Sequence, residues 1–197
     1  MTKSAIGTLN SPQDRTFGAM WQVALVVSAS LFVALCARIT IPLPFTPVPL
    51  TVQNFGVLLV GLLLGSRRGF AALALYLAEG AMGLPVFSPM GPGGIAQLIG
   101  PTGGYLMVYP LVAALAGYIV ERGAKSFARA AIASLLGEIL LFAGGLTWLY
   151  MLTHSLAKAA YLGLYWFISA EVIKVLCAAA IATRRRRERI VPNEFGV

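Results

Sequence analysis

The chain has 197 residues, 58% of them hydrophobic and 11% charged, with a formal net charge of +8. Soluble domains carry roughly 45–50% apolar and about 25% charged residues, so this composition argues against a water-soluble fold. A membrane crossing takes about 20 apolar residues, and the apolar runs here use almost the whole chain, leaving no room for a separate soluble domain.

Residues 1–18 form a polar N-terminal segment that contains Asp14, and the first apolar run follows at 19–38. That run lacks a small-x-small cleavage site, and Leu35 before Cys36 does not suit a lipoprotein signal, so a retained helix is expected. It places Ala24 with Ser28 and Ser30 with Ala34 at four-residue spacing. Such spacing admits close helix approach, either inside the bundle or against a partner membrane protein. Two shorter apolar runs, 50–65 and 69–84, flank the Gly-Ser-Arg-Arg-Gly turn. Longer ones follow at 104–121, 129–152 and 160–182, before a basic tail at 184–197. The expected fold is an all-α integral membrane protein, a bundle of six transmembrane helices spanning 19–183. Cys36 and Cys177 fall inside spans and should behave as small apolar side chains.

Twelve of the fifteen basic residues fall on one side of this topology: Lys3, Arg15, Arg67, Arg68, Arg122, Lys125, Arg129, Arg184, Arg185, Arg186, Arg187 and Arg189. Arg38 and Lys158 fall on the other side, and Lys174 lies within a span. The bias predicts that both termini are cytoplasmic in a multi-pass plasma-membrane protein. The basic tail then reads as a topology anchor or an anionic-lipid contact, and no nucleic-acid partner is expected.

Two connections on the outer side are long. The first, from Thr40 to about Thr51, carries Pro42, Pro44, Pro47 and Pro49. Proline fixes its own φ and biases its predecessor toward extended geometry, so a stiff strap is predicted. It is either a plain connector or a lid, and the apolar Leu43, Phe45, Val48 and Leu50 favour a lid. The second, residues 83–103, is rich in glycine and proline, and Gly-Pro-Thr-Gly-Gly-Tyr at 100–105 leads into the next span. Glycines there allow close backbone approach, and Thr102 is placed to cap the following helix.

Ionisable residues within spans are costly and usually have a partner and a purpose. Glu171 and Lys174 stand three apart, on one helix face, and present an acceptor and a donor to the bundle interior. They suit a urea or amide head group, or else form a self-satisfied ion pair. Glu138, mid-span, is placed to pair with Lys174 across the bundle. Glu79 lies toward the outer end of its span, where solvation is expected. Trp148, Tyr150, Tyr161, Tyr165 and Trp166 read as an interfacial belt. Trp148 is the one expected to turn inward as a stacking wall. His154 reads as a solvated loop residue.

No G-x-x-x-x-G-K-[ST] phosphate loop, H-E-x-x-H, G-x-S-x-G or cysteine-histidine cluster occurs in the sequence. A P-loop ATPase is therefore not expected, nor is a metal site, a cofactor or a catalytic residue. Two other readings of the residues are a membrane enzyme using Glu138 or Glu171 as base on a lipid-soluble substrate, and a structural subunit without ligand.

The segments PFTPVPLTVQNFGVLLVGLLLG at 44–65, GLPVF at 83–87 and GGIAQLIGPTGGYL at 93–106, with the E-x-x-K of Glu171 and Lys174, resemble the BioY family across residues 20–182. BioY proteins are the biotin-specific substrate-binding subunits (S components) of energy-coupling-factor transporters. The resemblance implies an S-component-like six-helix fold that binds biotin under the loop joining spans one and two. It implies that Glu171 and Lys174 contact the biotin head, with Gln53, Thr102, Tyr105 and Trp148 as further lining residues. The family more often has aspartate at the first position of the pair. Some members carry asparagine in the glycine-rich loop, where this chain reads Met-Gly-Pro-Gly-Gly at 90–94. Transport would be energised by a separate coupling protein and two ABC-type ATPases, docked through the small-residue face of span one.

Overall fold

The computed structural model of the chain describes residues 12–123 and 126–187 and is mostly helical. In chain order it contains α1 (Pro12–Arg38), the short strands β1 (Thr40–Ile41) and β2 (Leu50–Thr51), α2 (Gln53–Leu64), α3 (Ser66–Ala81) and α4 (Gly94–Ile99). These are followed by α5 (Gly103–Glu121), α6 (Phe127–Thr153), α7 (Leu156–Ala160), a π turn (Tyr161–Tyr165) and α8 (Ile168–Arg187). Lys3, Lys125 and Arg189 fall outside the described residues, as do the side chains of Arg15, Arg185, Arg186 and Arg187.

Among the described residues, three helical stretches are long and apolar enough to cross a bilayer: Gly18–Arg38, Gly103–Glu121 and Phe127–Thr153. A fourth crossing results if Leu156–Tyr165 and Ile168–Arg184, bent by 47° at their break, act as one span. α2 has 12 residues, about 18 Å at 1.5 Å per residue, and is shorter than the expected run 50–65 because Leu50 and Thr51 are drawn into β2. Gly65 alone separates α2 from α3, at φ 85°, a left-handed value that glycine reaches without a Cβ penalty.

α5 is the hub, in contact with α2, α3, α4 and α6, while α1 packs on α2 and α3, and α8 packs on α2 and α6. The helices approach through small residues, the usual device where lipid removes the hydrophobic drive to associate. A Cβ on Gly61 would lie 2.5 Å from the carbonyl oxygen of Ala113. Of the small residues of α1, Ser30 is buried and Ala34 packs against the core, whereas Ala24 and Ser28 remain exposed.

The proline-rich connection is a hairpin at its base: β1 pairs antiparallel with β2, Thr40 opposite Thr51 and Ile41 opposite Leu50. The strap between them folds back over the bundle, burying Val48 and packing Leu43 and Leu50 on the core. The glycine-rich connection also has structure that the sequence did not predict, the six-residue α4. Glu79 has a partner after all: the hydroxyl of Ser30 on α1 donates to its carboxylate, which lies between two packed helices rather than in open solvent.

Candidate functional site

A cavity of about 60 Å³ lies beneath the strap, at the end of the bundle where α2, α5 and α8 begin. Its polar wall is built on α8. Glu171 and Lys174, one helical turn apart, form an ion pair with Nζ 2.8 Å from Oε1. The Lys174 ammonium also donates to the carbonyl of Thr51 at 2.6 Å and to Asn54 Oδ1 at 2.8 Å. An ammonium has three N–H groups, and these contacts use all three. Asn54 faces the other way with its amide nitrogen, which donates to Glu171 Oε2 and, at 3.3 Å, to Glu138 Oε1. One amide thus ties the ion pair of α8 to α2 and α6.

This arrangement corrects one expectation. Glu138 does not pair with Lys174; it takes Asn54, because Lys174 is already saturated by Thr51, Asn54 and Glu171. Glu138 is 4% exposed, and its Oε2 has no hydrogen-bond partner among the described residues.

Gln53, Thr102, Tyr105, Glu171 and Lys174, all expected at the site, line the cavity together. Gln53 donates to the Tyr76 hydroxyl at 2.9 Å, and Tyr76 donates to the carbonyl of Val86 at 2.9 Å, which fixes the start of the glycine-rich loop. Thr102 occupies the position before α5, but its hydroxyl makes no capping bond. The structure does not bring Trp148 to this cavity. The Trp148 indole N–H donates to the carbonyl of Gly100 at 2.8 Å. The cause is Gly104, whose missing Cβ lets the Trp148 side chain sit against α5: a Cβ there would lie 2.2 Å from that of Trp148. His154 is exposed, as expected, and ends α6 in the left-handed region at φ 52°.

Asn54, Ser88, Gln97 and Tyr109 complete the polar lining and were not anticipated. Tyr109 was within reach, since it follows Tyr105 by one helical turn and so shares its face. Gln97 holds the loop on itself, accepting from the Gly93 N–H at 3.2 Å.

The π turn contributes through the backbone. A π register leaves carbonyls outside the regular α ladder. Here the carbonyl of Gly163 accepts from the Tyr105 hydroxyl at 2.8 Å, and that of Leu162 accepts from the Thr46 hydroxyl at 2.6 Å. Beside this second bond Phe45 packs on Trp166, ring centroids 4.1 Å apart. The strap is therefore fastened at two points: its tip to the π turn and its base, through Thr51, to Lys174. Trp166 thus serves the strap as much as any interfacial belt.

The pattern of the BioY family matches residues 8–190. The chain belongs to the BioY family. It is 38% identical over 164 residues to a probable biotin transporter BioY of Pyrococcus horikoshii, covering 83% of this chain and 94% of that protein. It is 37% identical over 163 residues to the biotin transporter BioY of Thermotoga maritima, covering 82% and 95%. Among solved structures, the S component for biotin from an ECF-type ABC transporter superimposes with a TM-score of 0.78 at 26% identity, covering 86% of this chain and 93% of that one. The BioY assignment makes this a multi-pass membrane protein of a transporter family, with an S-component-like helical fold.

Proposed function

We propose that this chain is the biotin-binding subunit of a vitamin uptake system and that biotin binds under the strap. The observation that carries the reading is the cluster of Glu171, Lys174 and Asn54 facing a cavity that also has an apolar wall. A ureido ring presents one carbonyl acceptor and N–H donors. The Lys174 ammonium would donate to that carbonyl in place of the Thr51 carbonyl, and Glu171 would accept an N–H. Leu106, Leu141, Phe142 and Phe167 supply an apolar wall for the second ring and the tail. Pockets that hold small molecules measure about 300 Å³ or more, so admitting biotin requires the strap to move outward from its present position.

The arrangement in the membrane follows from charge. Arg67, Arg68 and Arg122 gather around one cavity at the end of α2 remote from the strap. With these residues cytoplasmic, α2 and α3 act as two short crossings, giving six in all with both termini inside and the strap outside. Import would be powered by a coupling protein and ABC-type ATPases.

Calorimetric titration of the purified chain with biotin tests the reading. Tight, stoichiometric heat is expected; absence of heat with folded protein would overturn it.

A further inference from the structure

A second cavity, of about 640 Å³, lies at the far end of α2, lined by Arg67, Arg68, Arg122, Tyr118, Glu121 and Leu64, with Ser66 between them. Its scaffold is tightly built. α5 lies against the α2–α3 turn so closely that a Cβ on Gly117 would stand 2.4 Å from the backbone of Gly65 and Ser66. The carboxylate of Glu121 accepts the Ser66 N–H at 3.1 Å. These contacts hold the first turn of α3, with Arg67 and Arg68, beside the end of α5. There Arg122 lies with its guanidinium carbon 4.0 Å from the centroid of the Tyr118 ring.

Three guanidinium groups and one carboxylate line this cavity, so it carries +3 − 1 = +2. The carboxylate offsets one of the three positive charges, so a net positive charge remains at the cavity. Guanidinium forks match phosphate oxygens in geometry as well as in sign. Leu64 also lines a neighbouring apolar groove of about 220 Å³ between α1 and α2, with Leu25, Ser28, Ala29, Phe32 and Leu63. A basic cavity at the helix ends thus adjoins an apolar groove along the helices, and the two share a side chain.

We propose that this pair of cavities binds one anionic phospholipid, its phosphate on Arg67, Arg68 and Arg122 and the start of an acyl chain in the α1–α2 groove. The ligand is a lipid rather than a free phosphate because only an amphipathic molecule fills both parts. The proposal is independent of the biotin site, which lies at the other end of α2.

Native mass spectrometry of the purified full chain, exchanged against phosphatidylglycerol, phosphatidylcholine or inorganic phosphate, provides the test. One phosphatidylglycerol should be retained in clear preference to phosphatidylcholine, because the net positive cavity favours the head group with a net negative charge. Replacing all three arginines by glutamine should abolish that preference. Ser28→Phe, on the exposed face of α1, fills the groove and should lower phosphatidylglycerol retention even if the triple variant does not fold. Equal retention of the two lipids would overturn the proposal, as would full retention by the Ser28→Phe variant. Displacement of the lipid by inorganic phosphate alone would assign the arginines to a soluble anion instead and overturn the lipid.

Discussion

Lys174 donates to the backbone carbonyl of Thr51 at 2.6 Å, joining the charged centre of the cavity to the base of the strap that covers it. Thr51 is the last residue of β2, so the same hairpin that closes the cavity occupies one of the three N–H groups of the ammonium. A solute that took that N–H would remove one of the contacts that hold the base of the strap, leaving the hairpin pairing and the tip fastening in place.

The tip fastening predicts a kinetic phenotype. Thr46→Val removes the donor to Leu162, and Phe45→Ala removes the ring that packs on Trp166. Each bond of this kind contributes about 1 kcal/mol, so biotin should dissociate roughly fivefold faster from the Thr46→Val variant. Stopped-flow measurement of biotin release checks this, and an unchanged rate would mean the strap does not gate the cavity.

Asn54 should matter more than its modest chemistry suggests. Asn54→Ala strips a hydrogen bond from Glu138, Glu171 and Lys174 at once. Leaving buried charged groups short of partners costs about 1–3 kcal/mol or more, so thermal stability and biotin affinity should both fall. Asn54→Leu should be no better, because size is restored without the amide. Thermal unfolding in detergent alongside biotin titration measures both effects.

The glycines around α4 and α5 are expected to resist substitution. A Cβ on Gly103 would lie 1.8 Å from the carbonyl oxygen of Leu98, and on Gly104 it would lie 2.7 Å from that of Gly144. Gly104→Ala therefore forces α5 away from α6, with an expected loss of about 1–3 kcal/mol. An unfolding midpoint equal to that of the parent chain would contradict this packing.

Trp148 separates bracing from ligand stacking. Trp148→Phe keeps a ring but loses the bond to Gly100, so the expected effect is a stability loss of about 1 kcal/mol. A stacking role would instead leave stability intact and show its effect in biotin affinity when the ring is removed by Trp148→Leu.

The ion pair of the site was legible because charge stands out in an apolar run, and a spacing of three sets Glu171 and Lys174 on one face. Asn54 was not, since a polar amide at the start of an apolar segment looks like a span boundary. Only the packing of α2 between α6 and α8 turns it inward. The partner of Glu138 depended on which acceptors saturate Lys174, a tertiary outcome that no spacing encodes. α4 is not legible because six residues between glycines give too short a pattern, and the π turn because its register has no sequence signature. The lid reading of the strap rested on its apolar side chains, and burial of Val48 under proline-stiffened backbone supports it.

The most direct test of the central claim is calorimetric titration of biotin into the purified Lys174→Ala chain beside the parent. Removing one member of a buried pair leaves the other without its counter-charge and takes away the proposed ureido donor. The parent should show tight, stoichiometric binding, and the variant should lose about a hundredfold in affinity while remaining folded. Equal affinity in the two proteins would contradict the account.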